Sequence, residues 1–164
     1  MLAPLDEQFR YHTWATLRVI DHCLELPQEA LDYTIPGTMG TIHDTIAHLV
    51  GADSWYLTLM TGDESLGIRE AKSLPLSELR ARFVESSGVW QRILAHLDDY
   101  DPTLPEDEDS VEVPHARNLL LAQALHHGDD HRTHVWSILG AKGLEVPEAD
   151  VWMYWWDTYL KSAD

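Results

Sequence analysis

The stretch that decides the fold reads Leu120-Leu121-Ala122-Gln123-Ala124-Leu125-His126-His127-Gly128-Asp129-Asp130-His131-Arg132-Thr133-His134-Val135. Residues three and four apart lie on the same face of a helix, so this stretch predicts a helix with one continuous stripe. Two imidazoles take stripe positions that a bundle helix usually fills with leucine, and His134 follows on the same side. The stripe consists of Leu120, Ala124, His127, His131, Val135 and Ile138.

Histidines in an apolar stripe need a partner, because burying an unpaired imidazole costs free energy. A hydrogen bond inside the core would explain one such histidine, and that explanation stays open for each of them. For a pair at i and i+4 followed by a third at i+7, a divalent metal is the partner that the pattern favours.

A catalytic metal site of this kind typically uses three protein ligands and keeps one position open. The predicted fourth helix supplies His127 and His131, so the third ligand must come from another helix. His48 is the best candidate, because it lies inside the second predicted helix. His12 lies near the buried stripe of the first helix, and we expect it to line the pocket rather than to bind the metal.

Composition excludes several classes of function. The formal net charge is −17, with only 11 Lys and Arg among 164 residues. Binding nucleic acid requires a basic face that displaces counterions from phosphates, so we expect no nucleic-acid partner, and anionic membranes are disfavoured likewise. The sequence has no apolar run of membrane-spanning length and no signal-peptide pattern, and it contains one cysteine, Cys23. We therefore expect a cytoplasmic protein.

The hydrophobic pattern predicts five helical segments and no convincing strand. Prolines and glycines separate the segments, and a Thr41–Asp44 capping box begins the second one. We expect an all-α four-helix bundle, formed by residues 1–164 as a single domain, with a long crossover connection and a short extra C-terminal helix. The predicted helices span about residues 5–26, 41–60, 76–97, 115–139 and 148–160, and an acidic loop spans residues 98–113.

Better-known catalytic motifs do not fit. The segment from His127 to His131 has the zincin spacing, but Gly128 stands where the catalytic glutamate belongs. A di-iron bundle needs Glu-x-x-His on two helices, and the only instance here, Glu112 to His115, is interrupted by Pro114. The strand–elbow–helix motif of serine hydrolases is missing as well.

Three stretches together resemble the DinB-like (damage-inducible, or YfiT-like) family of metalloenzymes. They are the aromatic opening of the first helix, the histidine-containing second helix, and a His-x-x-x-His-Arg run. In this sequence they read Phe9-Arg10-Tyr11-His12-Thr13-Trp14-Ala15, Gly40-Thr41-Ile42-His43-Asp44-Thr45-Ile46-Ala47-His48-Leu49-Val50-Gly51-Ala52-Asp53-Ser54-Trp55-Tyr56-Leu57, and His127-Gly128-Asp129-Asp130-His131-Arg132-Thr133-His134.

The resemblance implies a helical bundle in which His48, His127 and His131 bind one divalent ion, nickel or zinc. Two positions depart from the family pattern. His134 stands where glutamine is usual, which makes it a candidate for an additional ligand or a group that transfers protons, and Thr16 stands where asparagine is common. Family members with known activity include transferases and isomerases that use mycothiol, bacillithiol or glutathione. Many others have no assigned reaction.

We therefore expect a metal-dependent transferase that acts on a small molecule with a low-molecular-weight thiol, and no catalytic residue can be named. The alternative is a non-catalytic, metal- or ligand-binding bundle with a role in the stress response. Seven tryptophans exceed what one small core hides, so a homodimer is expected. His12, Trp14, Trp55 and Trp136 are expected to line the pocket, and Asp44, Asp53 and Asp130 to hold the ligating histidines.

Overall fold

Four long helices and a short C-terminal helix make up the computed structural model, which describes residues 4–104 and 112–161. They are α1 (Pro4–Leu24), α2 (Ile42–Thr61), α3 (Leu76–Ala95), α4 (Arg117–Ala141) and α5 (Val151–Trp155). Within the described residues there is no strand, although an antiparallel bridge joins Leu104 to Val113. The prediction of an all-α bundle is confirmed.

Local sequence explains where the second helix begins and ends. The Thr41 side chain accepts a hydrogen bond from the Asp44 backbone N–H at 3.0 Å, as the predicted capping box requires. Gly62 ends the helix in the left-handed conformation, with φ of 73°, which a residue without Cβ adopts at little cost. Both ends of the helix that carries His48 therefore lie close to the prediction.

Two other predicted boundaries were wrong. The fourth helix begins at Arg117 and not at His115, because His115 adopts a φ of 54°, which cannot continue a right-handed helix. The last helix is α-helical only over Val151–Trp155 and continues as a π-helical turn over Trp156–Leu160. Part of the predicted acidic loop, residues 105–111, lies outside the described residues.

Side-chain pairs fix the directions of the helices. His48 of α2 meets His127 of α4, and Tyr56 meets Gln123, so α2 and α4 are antiparallel. Arg80 and Trp90 of α3 meet the opposite ends of α1. The last turns of α1 and α4 pack in one apolar cluster with the first turns of α2 and α3, so α1 and α4 run in one direction and α2 and α3 in the other.

A parallel pair of consecutive helices requires a connection that returns along the bundle. The residues between α2 and α3 form this crossover, with short 3₁₀ turns at Glu64–Leu66 and Ala71–Ser73. The beginnings of α2 and α3 share one apolar cluster, which includes Ile46 and Phe83, and their ends share another, which includes Leu57 and Trp90. The predicted long crossover is thus present, and it leads residues 71–74 back to the beginning of α2.

None of the helices in residues 4–104 and 112–161 combines the length and apolar character needed to cross a membrane.

Candidate metal centre

Three histidines converge between α2 and α4. One ring nitrogen from each of His48, His127 and His131 lies within 4.8 Å of the other two, and this group could hold a metal ion. The Nε2 atoms of His127 and His48 are 3.0 Å apart, and the ring centroids of His127 and His131 are 4.2 Å apart. His131 is buried, and the other two are half-buried. The i, i+4 spacing on α4 and the antiparallel packing against α2 bring these rings together.

The three imidazoles are held in the neutral form that can donate a lone pair. Burial, together with the nearby rings of the other histidines, lowers the pKa of His127 and of His131 to about 4. Burial and then the charge of Lys72 lower the pKa of His48. Neutral imidazole is a ligand that suits zinc, nickel, copper and iron.

One ring nitrogen of these three histidines has no hydrogen-bond partner among the described residues. His127 and His48 can share one hydrogen bond, but the buried Nδ1 of His131 has no hydrogen-bond partner among the described residues. Such an atom would gain a metal or a water molecule as its partner at no cost in protein contacts. The geometry and the chemistry of these residues therefore fit a three-histidine metal site.

His134 and Tyr56 lie beside the three histidines at opposite ends. The ring of His134 is 5.3 Å from that of His131, and His134 is not part of the converging group. Tyr56 contacts the ring of His127 edge-on at 5.7 Å, and its hydroxyl accepts a hydrogen bond from Gln123. The site thus has a histidine at one end and an aromatic ring at the other.

The three aspartates that were expected to hold the ligating histidines lie in three different surroundings. Asp130 is exposed and close enough to act electrostatically on His127 and His131. Asp44 lies in the first turn of α2, where its backbone N–H donates to the capping Thr41 side chain, and its Oδ1 lies 3.6 Å from the Lys72 ammonium. Asp53 is buried away from the three histidines, where it accepts hydrogen bonds from the Trp90 indole at 3.1 and 3.2 Å.

The expected tryptophan pocket does not form. Trp14 packs against Tyr154 at 5.6 Å between ring centroids, Trp55 is 55% exposed, and Trp136 lines a surface groove of about 570 Å³ beside Trp152. Helix phase explains the difference, because Trp14 and Trp136 face the C-terminal segment rather than α2. These contacts do not bring Trp14, Trp55 and Trp136 together into one pocket.

A buried polar network that the sequence analysis missed lies on the other side of α4. The fully buried Arg132 guanidinium donates to Thr16 Oγ1 at 2.7 Å, contacts His12 Nδ1 at 3.1 Å and pairs with Asp129. Since arginine only donates, His12 Nδ1 must accept, and its proton therefore sits on Nε2, which lies 3.4 Å from Asp53. His12 is thus part of this network and not of the metal site.

Gly128 allows this network to form between α1 and α4. A Cβ atom at residue 128 would lie 2.3 Å from Cε1 and 2.5 Å from Nδ1 of His12. Glycine in a helix interior is unfavourable by about 1 kcal/mol relative to alanine, so its presence inside α4 was a signal of close approach. Gly128 directly follows His127, and the contact therefore helps to set the position of both α4 ligands.

The chain was compared with models of known protein families, and the model of the DinB family matches residues 1–162. No curated protein matches the chain.

Replacing Gly128 by alanine should destabilise the protein and weaken metal binding. The new Cβ would overlap the His12 ring, and overpacking of this kind costs about 1–3 kcal/mol. Urea unfolding in the presence of chelator measures the first effect, and metal titration measures the second. Gly140→Ala is the matched control in the same helix, because its Cβ would meet only Val146 at 3.7 Å. If Gly128→Ala were as stable as Gly140→Ala, the close approach would be disproved.

The metal-free protein should become more stable as the pH rises from about 4 to about 6.5. Unfolded histidines have a pKa of about 6.5, and the folded values of His127 and His131 are about 4, so in this range the unfolded state binds more protons. Urea unfolding across this range should give a smaller increase for the His127→Gln/His131→Gln variant. The exposed His126 provides the control substitution, His126→Gln, which should keep the wild-type slope. Equal slopes in all three proteins would contradict the depressed pKa values.

Proposed function

This chain belongs to the DinB family, and from its three converging imidazoles we propose that it is a metal-dependent transferase. Its substrates are a small molecule with an electrophilic centre and a low-molecular-weight thiol. The observation that carries this proposal is the convergence of His48, His127 and His131 with ring nitrogens within 4.8 Å of one another. The match over residues 1–162 supports the expectation that the chain forms a single bundle domain.

The three histidines would hold one divalent ion, nickel or zinc, and leave a position open for the substrate. Bound there, the ion would lower the pKa of a thiol and favour the thiolate near neutral pH. Because His134 lies beside the ligand group and not in it, we assign it the transfer of the thiol proton rather than a fourth bond to the metal. The sulfur would then bond to the electrophilic carbon, and the leaving group would depart with the electron pair of the broken bond.

The nucleophilic sulfur has to come from outside the chain. Cys23, the only cysteine in the sequence, is buried in the apolar core. Burial raises the pKa of the Cys23 thiol to about 12, so it stays protonated and unreactive at neutral pH. The proposed transfer therefore requires a low-molecular-weight thiol as cosubstrate.

Metal content and turnover test the function together. Untagged protein should contain about one nickel or zinc ion per chain, and His127→Ala/His131→Ala should lose most of it. Metal-loaded protein given a haloarene or bromoalkane should consume it with one of four thiols: glutathione, bacillithiol, mycothiol or cysteine. His48→Ala and chelation should abolish turnover, whereas His126→Ala, next to the ligands but exposed, should not.

Each negative result has a definite meaning. Full metal retention in the double variant would disprove the ligand assignment. If protein shown to hold its metal turns over with none of the four thiols, the transferase is disproved. A non-catalytic metal-binding bundle with a stress-response role would then be the better explanation.

We also propose that the protein is a homodimer, formed through the segment 151–160. This segment exposes six large apolar side chains, Val151, Trp152, Trp155, Trp156, Tyr159 and Leu160. Its one acidic residue, Asp157, is paired with Arg18 at 2.9 Å. In a chain with a net charge of −17, two copies repel each other least where the surface is apolar and its charges are paired.

Light scattering tests the dimer. The wild type should have about twice the chain mass of 18.7 kDa, and Trp152→Asp should have the mass of one chain. Leu119→Asp is the control, because Leu119 is 52% exposed on α4, outside this segment, and should leave the dimer intact. A wild-type mass of 18.7 kDa would contradict the proposal.

A further inference from the structure

The crossover between α2 and α3 is held against the first half of α2 at two points. The Nε2 atom of His43 lies 2.9 Å from the carbonyl oxygen of Leu74, within hydrogen-bond distance. Gly51 lets the turn Ala71–Ser73 approach closely, since a Cβ atom at residue 51 would lie 3.2 Å from the Cβ of Ala71. Lys72 is the middle residue of this turn, and the two contacts fix its backbone beside α2.

The side chain of Lys72 reaches the part of α2 that carries His48. Its Nζ lies 3.6 Å from Oδ1 of Asp44, which is one helical turn before His48 on the same face. Because α2 and α4 are antiparallel, His134 follows His131 toward the Asp44 end of the site. Lys72, Asp44 and His134 therefore make one end of the site polar, and Tyr56 makes the other end aromatic.

The ammonium group of Lys72 is available to a further acceptor. A charge-assisted N–H···O bond is about 2.7–2.9 Å long, so the 3.6 Å contact with Asp44 is a loose ion pair. The group carries three donor hydrogens, and its side chain is 61% exposed. Since the chain as a whole is strongly acidic, an anion can approach this site only where a local cation attracts it.

We propose that Lys72 binds a carboxylate of the small molecule that occupies the three-histidine site, which makes carboxylate-bearing thiols the preferred class of thiol substrate. This inference rests on the proposed function, because it concerns the thiol that the histidine site accepts. Lys72 selects the thiol by its charge, while the histidines hold the ion that binds the sulfur. Of the thiols that the family uses, glutathione and bacillithiol carry free carboxylates and mycothiol does not.

Two thiols of equal chain length test the proposal: 3-mercaptopropionate, which carries a carboxylate, and 3-mercapto-1-propanol, which is neutral. Each is titrated into cobalt-loaded protein, and the sulfur-to-cobalt absorption band reports binding without any turnover. Because the two thiols differ in acidity, their affinities are compared as a ratio, that of 3-mercaptopropionate divided by that of 3-mercapto-1-propanol. The change in this ratio between the wild type and a variant tests the role of Lys72. An ion pair at an exposed site contributes up to about 1 kcal/mol, so the ratio should fall about fivefold in Lys72→Gln.

Lys161→Gln and Lys72→Arg are the controls, and both should keep the wild-type ratio. Lys161 is an exposed lysine paired with Asp157 in the C-terminal segment, far from α2 along the chain. The wild-type preference should also weaken as salt is added, because exposed charges are screened. Cobalt content and circular dichroism are measured for every variant, so that a loss of metal or fold is detected directly.

Each outcome decides between the two proposals. If the wild type binds no cobalt, or binds cobalt but gives no absorption band with either thiol, binding of a thiol sulfur by an ion at the three-histidine site is contradicted, and this inference fails with it. If both thiols give the band and Lys72→Gln keeps the wild-type ratio, only the role of Lys72 is overturned. A ratio that falls in Lys72→Gln and is unchanged in both controls supports it.

Discussion

Arg132 is a permanently charged side chain buried between α1 and α4, and a buried charge is costly unless it is paired and hydrogen-bonded. Thr16 and His12 accept from its Nη1 and Asp129 accepts from its Nη2, whereas its Nε has no partner among the described residues. The three partners lie on two helices, so they restrict both the distance between α1 and α4 and the rotation of α4 about its axis. That rotation decides which residues of α4 face α2, and it turns His127 and His131 toward His48.

The two polar faces of α4 differ in how many of their polar atoms are hydrogen-bonded within the protein. The face toward α1 has a guanidinium with most of its donors satisfied, and this network has a structural role. On the face toward α2 there are three neutral imidazoles, a ring nitrogen without a partner, and no buried carboxylate among the described contacts of the three. A site of this kind is poor in internal hydrogen bonds and rich in lone pairs, which is the arrangement that a metal ion can complete.

The direction of the crossover also brings a cation, Lys72, close to the histidine site. Because α2 and α3 are parallel, the crossover has to return along the bundle, and it brings the turn that carries Lys72 to the beginning of α2. Because residue 51 is a glycine, Ala71 can pack directly against α2 along this return path. A residue 24 positions after His48 in the sequence thereby acts electrostatically on that histidine.

The sequence by itself determined the features that depend on local periodicity and on local backbone chemistry. Helical spacing placed His127 and His131 on one stripe, the Thr41 cap and Gly62 bounded α2, and His48 was selected as the third member of the group. Only the tertiary structure decided which faces meet. It moved Trp14 and Trp136 to the C-terminal segment, gave Asp53 to Trp90, joined His12 to Arg132 and brought Lys72 beside Asp44. The physical reason is that spacing along a helix fixes which residues share a face, whereas the partner of that face depends on how all the helices pack and on the direction of each connection.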